Sequence, residues 1–368
     1  MKLDLHLVFA AALLIAMAGH AAPPKKDHQQ MEQNTRLQIF LDNANFGPGK
    51  IDGQQGEFTK KALALYRQAK DLPGGAPENS KSKAPADTTG VDLSSIEPVF
   101  TTYTVTAEDV ANVGELPSGP AAQAKVKRLP YATVAEGVAE KFHCDLKFFK
   151  ELNHGKAEKL KAGDQVTVPN VKPFEIGEVK SLQPGSEAKA VIANELGEDK
   201  DSGPTKTETP KEGDTAKLSL HVGVKDEMLT VLADDKIVAA FPVTVGSQQT
   251  ASPIGKWTVK TVAKWPNFRY DPLMLQKGER GSNFHLLPPG PNNPVGVIWI
   301  ALNKKGIGIH GTNDPDSIGR NASHGCIRLA NWDIVKLAEM VKSGVPVTVD
   351  DARAMAPAPA AAAAPVNK

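Results

Sequence analysis

The chain has 368 residues, enough for two or three domains, with 40% hydrophobic and 23% charged residues, an ordinary soluble composition. Its formal charge of +1 supplies no global field that would draw nucleic acid. There is no Walker-type loop, no dinucleotide-binding GxGxxG context and no CxxC pair.

Residues Leu7 to Ala18 form an apolar run too short to span a bilayer as a helix, with small residues at Gly19 and Ala21 behind it. This reads as a signal peptide over 1–21 and a mature start near Ala22. The expectation is an exported chain with no stable membrane span after cleavage. No cysteine follows the cleavage site, which excludes a lipoprotein. Exported proteins usually pair their cysteines, yet a bridge between Cys144 and Cys326 would silence the thiol of a His-rich segment. Cys326 is therefore expected to stay a thiol, and Cys144 to be a small buried apolar residue.

Residues 31–74 follow. Leu37, Phe40 and Leu41 have helical spacing, Phe46-Gly47-Pro48-Gly49 and Ile51-Asp52-Gly53 are turn chemistry, and Thr59 is the expected cap of a second helix bearing Ala62, Leu63, Leu65 and Tyr66. The pattern resembles the small helical peptidoglycan-binding module. Residues 75–95 read as a linker poor in large apolar residues.

In the unit at 99–172, Val134, Val138, Ala139 and Phe142 suit one short helix, and Leu146, Phe149 and Leu152 a second. Asn153-His154-Gly155 ends that helix, and 165–169 is a short strand. The core, 131–170, resembles a LysM module, a β-α-α-β fold that binds the glycan of bacterial cell walls. His143 and His154 are read as structural or surface residues. A second charged linker spans 185–214. From 216 to 350 short alternating strands indicate an antiparallel sandwich or barrel, with one helix from Trp332 to Lys342 and a last strand at 344–349. An Ala/Pro tail at 351–368 is expected to be a disordered spacer.

The chemistry concentrates in residues 310–331, HGTNDPDSIGRNASHGCIRLAN. A thiol is a weak nucleophile until a base or cation raises its thiolate fraction, and imidazole does so near neutral pH. Cys326 with His310 or His324 is thus a unit for acyl transfer through a thioester. Neighbours on an extended segment point to opposite faces, so His324 is poorly placed to reach the sulfur. The spacing of His310, His324 and Cys326 matches no common zinc pattern; neither a metal nor a cofactor is expected.

With ASPIG (251–255), GPNNPVG (290–296), GIHGTN (308–313), IG (318–319) and SHGCIRL (323–329) in this order, residues 216–350 resemble the L,D-transpeptidase catalytic domain, YkuD-type, and GPNNPVG its enterobacterial-type branch. The resemblance implies Cys326 as nucleophile and His310 as general acid/base. Gly325 and Cys326 supply candidate oxyanion-hole amides, and His324 shapes the pocket or positions the acyl donor. Gly311 is expected to allow close approach of the substrate backbone. Ser323 orients a histidine or supports the turn. Arg328 either captures a substrate carboxylate or braces the loop through a buried ion pair. Asn293, with Asn292 and Pro294, is expected to shape a substrate-binding loop near the cleft. Asn331 and Asp333 are expected to cap the following helix. Trp257, Trp265 and Trp299 read as core or rim.

The expected architecture is multidomain: a mainly β catalytic domain with one or two helices, preceded by a small all-α module and a small α+β module. The implied activity releases the terminal D-Ala of peptidoglycan tetrapeptide stems through a cysteine thioester. The acyl group then passes to an amine, either in a 3-3 cross-link or on the lysine of an outer-membrane lipoprotein. Water as acceptor (an L,D-carboxypeptidase) and a non-catalytic wall-binding protein are the alternatives. Expected partners are peptidoglycan stem peptides and glycan, not nucleic acid, in the periplasm or cell wall of a bacterium.

Overall fold

The computed structural model describes residues 25–73, 86–179, 217–246, 252, 254–277, 280–304, 306–320 and 325–351. The expected signal peptide, the 185–214 linker, residues Ser323 and His324, and nearly all of the Ala/Pro tail lie outside them.

Two helices open the described chain, α1 (Lys25–Asn43) and α2 (Glu57–Ala69). Leu37 and Leu41, one helical turn apart, meet Ala62, Leu63 and Leu65 in a small apolar core. The second helix starts behind Gly56, with Glu57 at its positive end, so Thr59 is not its cap. Thr59 is buried in the first turn, its hydroxyl donating to Pro48 O at 3.4 Å. Residues 86–95, expected to be linker, are partly pinned here. Ala86, Val91 and Leu93 pack against the helices, and Arg67 donates to Thr89 O at 2.7 Å.

A β-α-α-β unit follows: β1 (Phe100–Thr104), α3 (Ala107–Ala111), α4 (Pro120–Gln123), α5 (Val134–Lys141), α6 (Leu146–Leu152) and β2 (Gln165–Pro169). The two strands pair antiparallel, Phe100 opposite Pro169. Thr133 caps α5 by accepting from Glu136 N at 3.1 Å, and Asp145 caps α6 by accepting from Phe148 N at 2.9 Å. Val138, Ala139, Phe149, Val166 and Val168 share one core. The short helices α3 and α4 are inserted between β1 and α5.

The rest is mainly β: β3 (Leu218–Gly223), β4 (Met228–Ala233), β5 (Lys236–Pro242), β6 (Gly255–Lys264), β7 (Phe268–Tyr270), α7 (Pro272–Lys277), β8 (His285–Leu287), β9 (Ile298–Leu302), β10 (Gly308–His310), β11 (Ile327–Arg328), α8 (Asn331–Met340) and β12 (Pro346–Asp350). Eight strands form one curled sheet in the order β11-β10-β9-β6-β12-β3-β4-β5. It is mixed rather than purely antiparallel. β10 and β11 run parallel, as do β12 and β3, and each such pairing requires the chain to cross over before it re-enters the sheet. The two edges meet: Thr244, just past β5, exchanges backbone hydrogen bonds of 2.9 Å with Arg328 of β11. Leu220, Val231, Phe241, Ile300, Ile327, Trp332 and Leu337 lie in the resulting core. β7, α7 and β8 stand off this sheet as a separate two-stranded arm.

The three units are docked, not merely tethered. Gly47 N donates to Ala240 O at 2.8 Å and Ala240 N to Asn45 O at 2.9 Å, and Met228 and Ala240 complete the core of the helical unit. Leu129 N donates to Pro289 O at 2.9 Å, and Asn292 Nδ2 to Pro130 O at 2.8 Å. Asp42 of α1 lies 3.0 Å from both His143 Nδ1 and Lys336 Nζ of α8, and the His143 ring stacks on Trp332 at 5.4 Å. His143 therefore joins all three units.

Candidate active site

β10 ends at His310, and β11 begins directly after Cys326. Their parallel register sets Ile309 opposite Ile327 and His310 opposite Arg328, bringing the two sequence candidates to the ends of neighbouring strands. Both line a cavity of about 280 Å³. Arg328 lines it too. Pro294, Val295, Trp299 and Gly306 complete the lining with the arm, which supplies Phe268 to Asp271, Met274, Leu275 and Arg280.

His310 is buried, with Nδ1 2.6 Å from Gly311 O. A carbonyl only accepts, so the neutral ring carries its proton on Nδ1 and leaves Nε2 as the basic nitrogen. Its ring stacks on Trp299 at 5.2 Å and 9°. Burial first, then the Arg328 cation, push its pKa down to about 3, against the opposing Gly311 carbonyl. The imidazole is neutral at rest.

Cys326 is half-buried, its Sγ 3.6 Å from Gly306 O and packed with Ala263, Val295 and Trp299. Neither it nor Cys144 is in a disulfide. Cys144 is buried, and burial followed by the Asp145 and Asp52 charges holds its pKa well above the ordinary range, which favours the thiol over the thiolate. Gly325 turns with φ +102°, a conformation L side chains rarely adopt, and this shapes the backbone immediately before Cys326.

Arg328 is half-buried beside Cys326. Its Nη1 donates to Ser317 Oγ at 3.3 Å, and its Nε is buried with no acceptor. Burial lowers its pKa, opposed by attraction to Cys326 and Asp314. No carboxylate forms a salt bridge with it among the described residues, so the bracing ion pair is not seen there.

Other expected site residues lie elsewhere. Asn293 is fully buried: Nδ2 donates to Pro288 O at 2.8 Å and Oδ1 accepts from Val295 N at 3.0 Å. It sets the loop from inside, while its neighbours Pro294 and Val295 reach the cavity. Gly311 leaves room for Asn331: a β-carbon there would lie 2.3 Å from Asn331 Oδ1. Asn331 is not a helix cap, since Ala330 holds that position. Its Oδ1 accepts from Val297 N at 3.2 Å and its Nδ2 donates to Glu140 Oε1 at 2.9 Å, tying the loop before β9 to α5. Asp333 is no cap either. It is buried with Oδ1 unpartnered; burial raises its pKa to about 8, opposed by Lys336 and helped by Asp42. Ser323 and His324 lie outside the described residues. Among those residues no His/Cys/Asp/Glu group could hold a metal.

Sequence reasoning missed two contributors. Trp299 stacks on His310, but an indole inside VIWIAL reads like any core residue. The arm residues sit in a segment without strand alternation, where the grouping of Arg269, Tyr270 and Arg280 was the available signal.

The family model for the L,D-transpeptidase catalytic domain, YkuD, matches residues 219–349. Among relatives named as L,D-transpeptidases, YkuD of Bacillus licheniformis is 32% identical over 136 residues, covering 37% of this chain and 67% of the relative. YbiS of Escherichia coli K12 is 35% identical over 118 residues, covering 31% and 38%. A solved L,D-transpeptidase from Mycobacterium smegmatis is 20% identical with a TM-score of 0.30, covering 37% of this chain and 59% of that one. YqjB of Bacillus subtilis is 31% identical over 149 residues, covering 39% of this chain and 76% of the relative. The chain belongs to the YkuD family of L,D-transpeptidases.

Proposed function

We propose that the protein is an exported L,D-transpeptidase acting on peptidoglycan tetrapeptide stems through a thioester on Cys326. The observation that carries this reading is the placement of Cys326 and a neutral His310 at the ends of paired parallel strands, in one cavity. In the proposed reaction Cys326 Sγ attacks the carbonyl of the third stem residue, and the thiol proton passes to His310 Nε2. The amides of Gly325 and Cys326 hold the developing oxyanion, each such donor being worth ~10²–10³ in rate. The C–N bond breaks, the leaving D-Ala nitrogen takes the proton back, and a thioester remains. An incoming amine then attacks, gives its proton to His310 and releases the sulfur.

The low basicity of His310 belongs to a site whose thiol is still neutral. Once the thiolate forms, the imidazolium gains an adjacent anion, so the two titrate as a pair. Arg328 supports the same charge pattern by attracting the thiolate.

The helical unit and the β-α-α-β unit are assigned to wall binding, on their resemblance to peptidoglycan-binding and LysM modules. The GPNNPVG element favours an enterobacterial-type enzyme and a lipoprotein lysine as acceptor. The test incubates the protein and its Cys326→Ala variant with tetrapeptide muropeptides and reads products by mass spectrometry. Cys326-dependent release of D-Ala is expected, at least ~10³-fold above the variant. Cross-linked dimer, lipoprotein adduct or free tripeptide would identify the acceptor. Equal product from both proteins would sink the nucleophile assignment.

A further inference from the structure

The cavity around Cys326 is unbalanced in charge. Three guanidiniums line it, from Arg269, Arg280 and Arg328, against one carboxylate, Asp271. Two of these four groups are spent on each other. Arg269 pairs with Asp271, donates to Gly281 O at 2.7 Å and lies 4.0 Å over the Phe284 ring. Asp271 also accepts from Gly281 N at 2.8 Å and Leu273 N at 3.1 Å. That set braces the arm internally. Arg328 spends one bond on Ser317 and keeps a buried Nε without an acceptor. Arg280 is exposed on the arm, with no hydrogen bond or ion pair among the described residues. The cavity thus holds two guanidiniums with donors to spare, one beside the nucleophile and one on the arm, and no described carboxylate to satisfy them.

A planar guanidinium presents paired donors that fit a carboxylate, and an amide cannot accept from both sides of that fork. Arg328, in register with His310 and next but one to Cys326, is placed for the terminal carboxylate of the residue that leaves. We propose that Arg280 determines donor specificity by holding a second, free carboxylate on the side chain of the residue that becomes acylated, and discriminates against the corresponding amide. The inference rests on the transpeptidase reading above. It narrows the acyl donor to a stem whose third residue carries a side-chain carboxylate that is unmodified. Met274 and Leu275 on the same arm give the intervening methylenes an apolar wall.

The test uses the purified protein with two tetrapeptide donors that differ only in that side-chain group, free carboxylate or primary amide. D-Ala release gives kcat/KM for each. The parent is expected to favour the free acid about tenfold. Arg280→Gln should bring the ratio close to one, and Arg280→Glu should turn it toward the amide. Because Arg280 is exposed, neither variant removes a packing contact, and the ratio cancels any general loss of activity. A parent without preference, or an Arg280→Gln protein that keeps the parent's ratio, overturns the proposal. If neither donor forms a Cys326-dependent acyl-enzyme with the parent, the transpeptidase reading itself fails.

Discussion

Trp299 does for His310 what a hydrogen-bonding partner often does for a catalytic imidazole: it fixes the plane of the ring. It also excludes water, and burial is the largest cause of the low His310 pKa. Trp299→Ala should admit water and move His310 back toward 6.5, so that less of it is neutral on the acid side. The acid limb of iodoacetamide alkylation at Cys326 is expected to rise by about one pH unit. Trp299→Phe, which keeps an aromatic face, should restore most of the parent profile. An unchanged profile in Trp299→Ala would remove this role. At this scale the meeting of Cys326 and His310 in one cavity was legible, because a reactive thiol needs a base and both stand in a distinctive motif. Trp299 and Asn331 were not. An indole in a strand and an asparagine before a helix have ordinary local explanations, and their partners are fixed only by the fold.

At the level of elements, the junction of β10 and α8 is packed around Asn331. Its side chain holds Val297 N, Pro291 O and Glu140, and it occupies the space a β-carbon on Gly311 would need. Gly311→Ala should force Asn331 aside at a cost of about 1–3 kcal/mol, seen as a lower thermal midpoint with the Cys326 thiol still present. An unshifted midpoint would show that Asn331 has slack the structure does not suggest. The main strands were readable from their alternation. The arm was not, since β7 and β8 are too short to show a period and α7 is one and a half turns of ordinary sequence.

Across the whole molecule, several buried titratable groups, Asp42, Glu140, His143 and Asp333 among them, sit where units meet. Burial pushes Glu140 up to about 7, against the bonds from Tyr131 and Asn331, and Asp333 to about 8. The folded chain therefore keeps protons that the unfolded chain releases above its ordinary carboxylate range. Stability contributed by Glu140 falls as pH rises from about 4.5 to about 7. His310 and His143, both lowered chiefly by burial, act on the other side, losing stability as pH falls below 6.5. Glu140→Gln should stabilise the protein more at pH 8 than at pH 5, by about 2 kcal/mol, measured by denaturant unfolding at both. An equal effect at both pH values would show that Glu140 titrates normally. None of this docking was visible in the chain, because Asp42, His143 and Lys336 are far apart in sequence and each is unremarkable alone.

The closing of the sheet at Thr244 and Arg328 has a mechanical meaning. Strand β5 is gripped at Ala240 by the helical unit, and the chain is gripped again at Thr244 by the strand that carries Cys326 onward. Tension applied to the helical unit is therefore delivered, over the short span from Ala240 to Thr244, to the backbone beside Cys326.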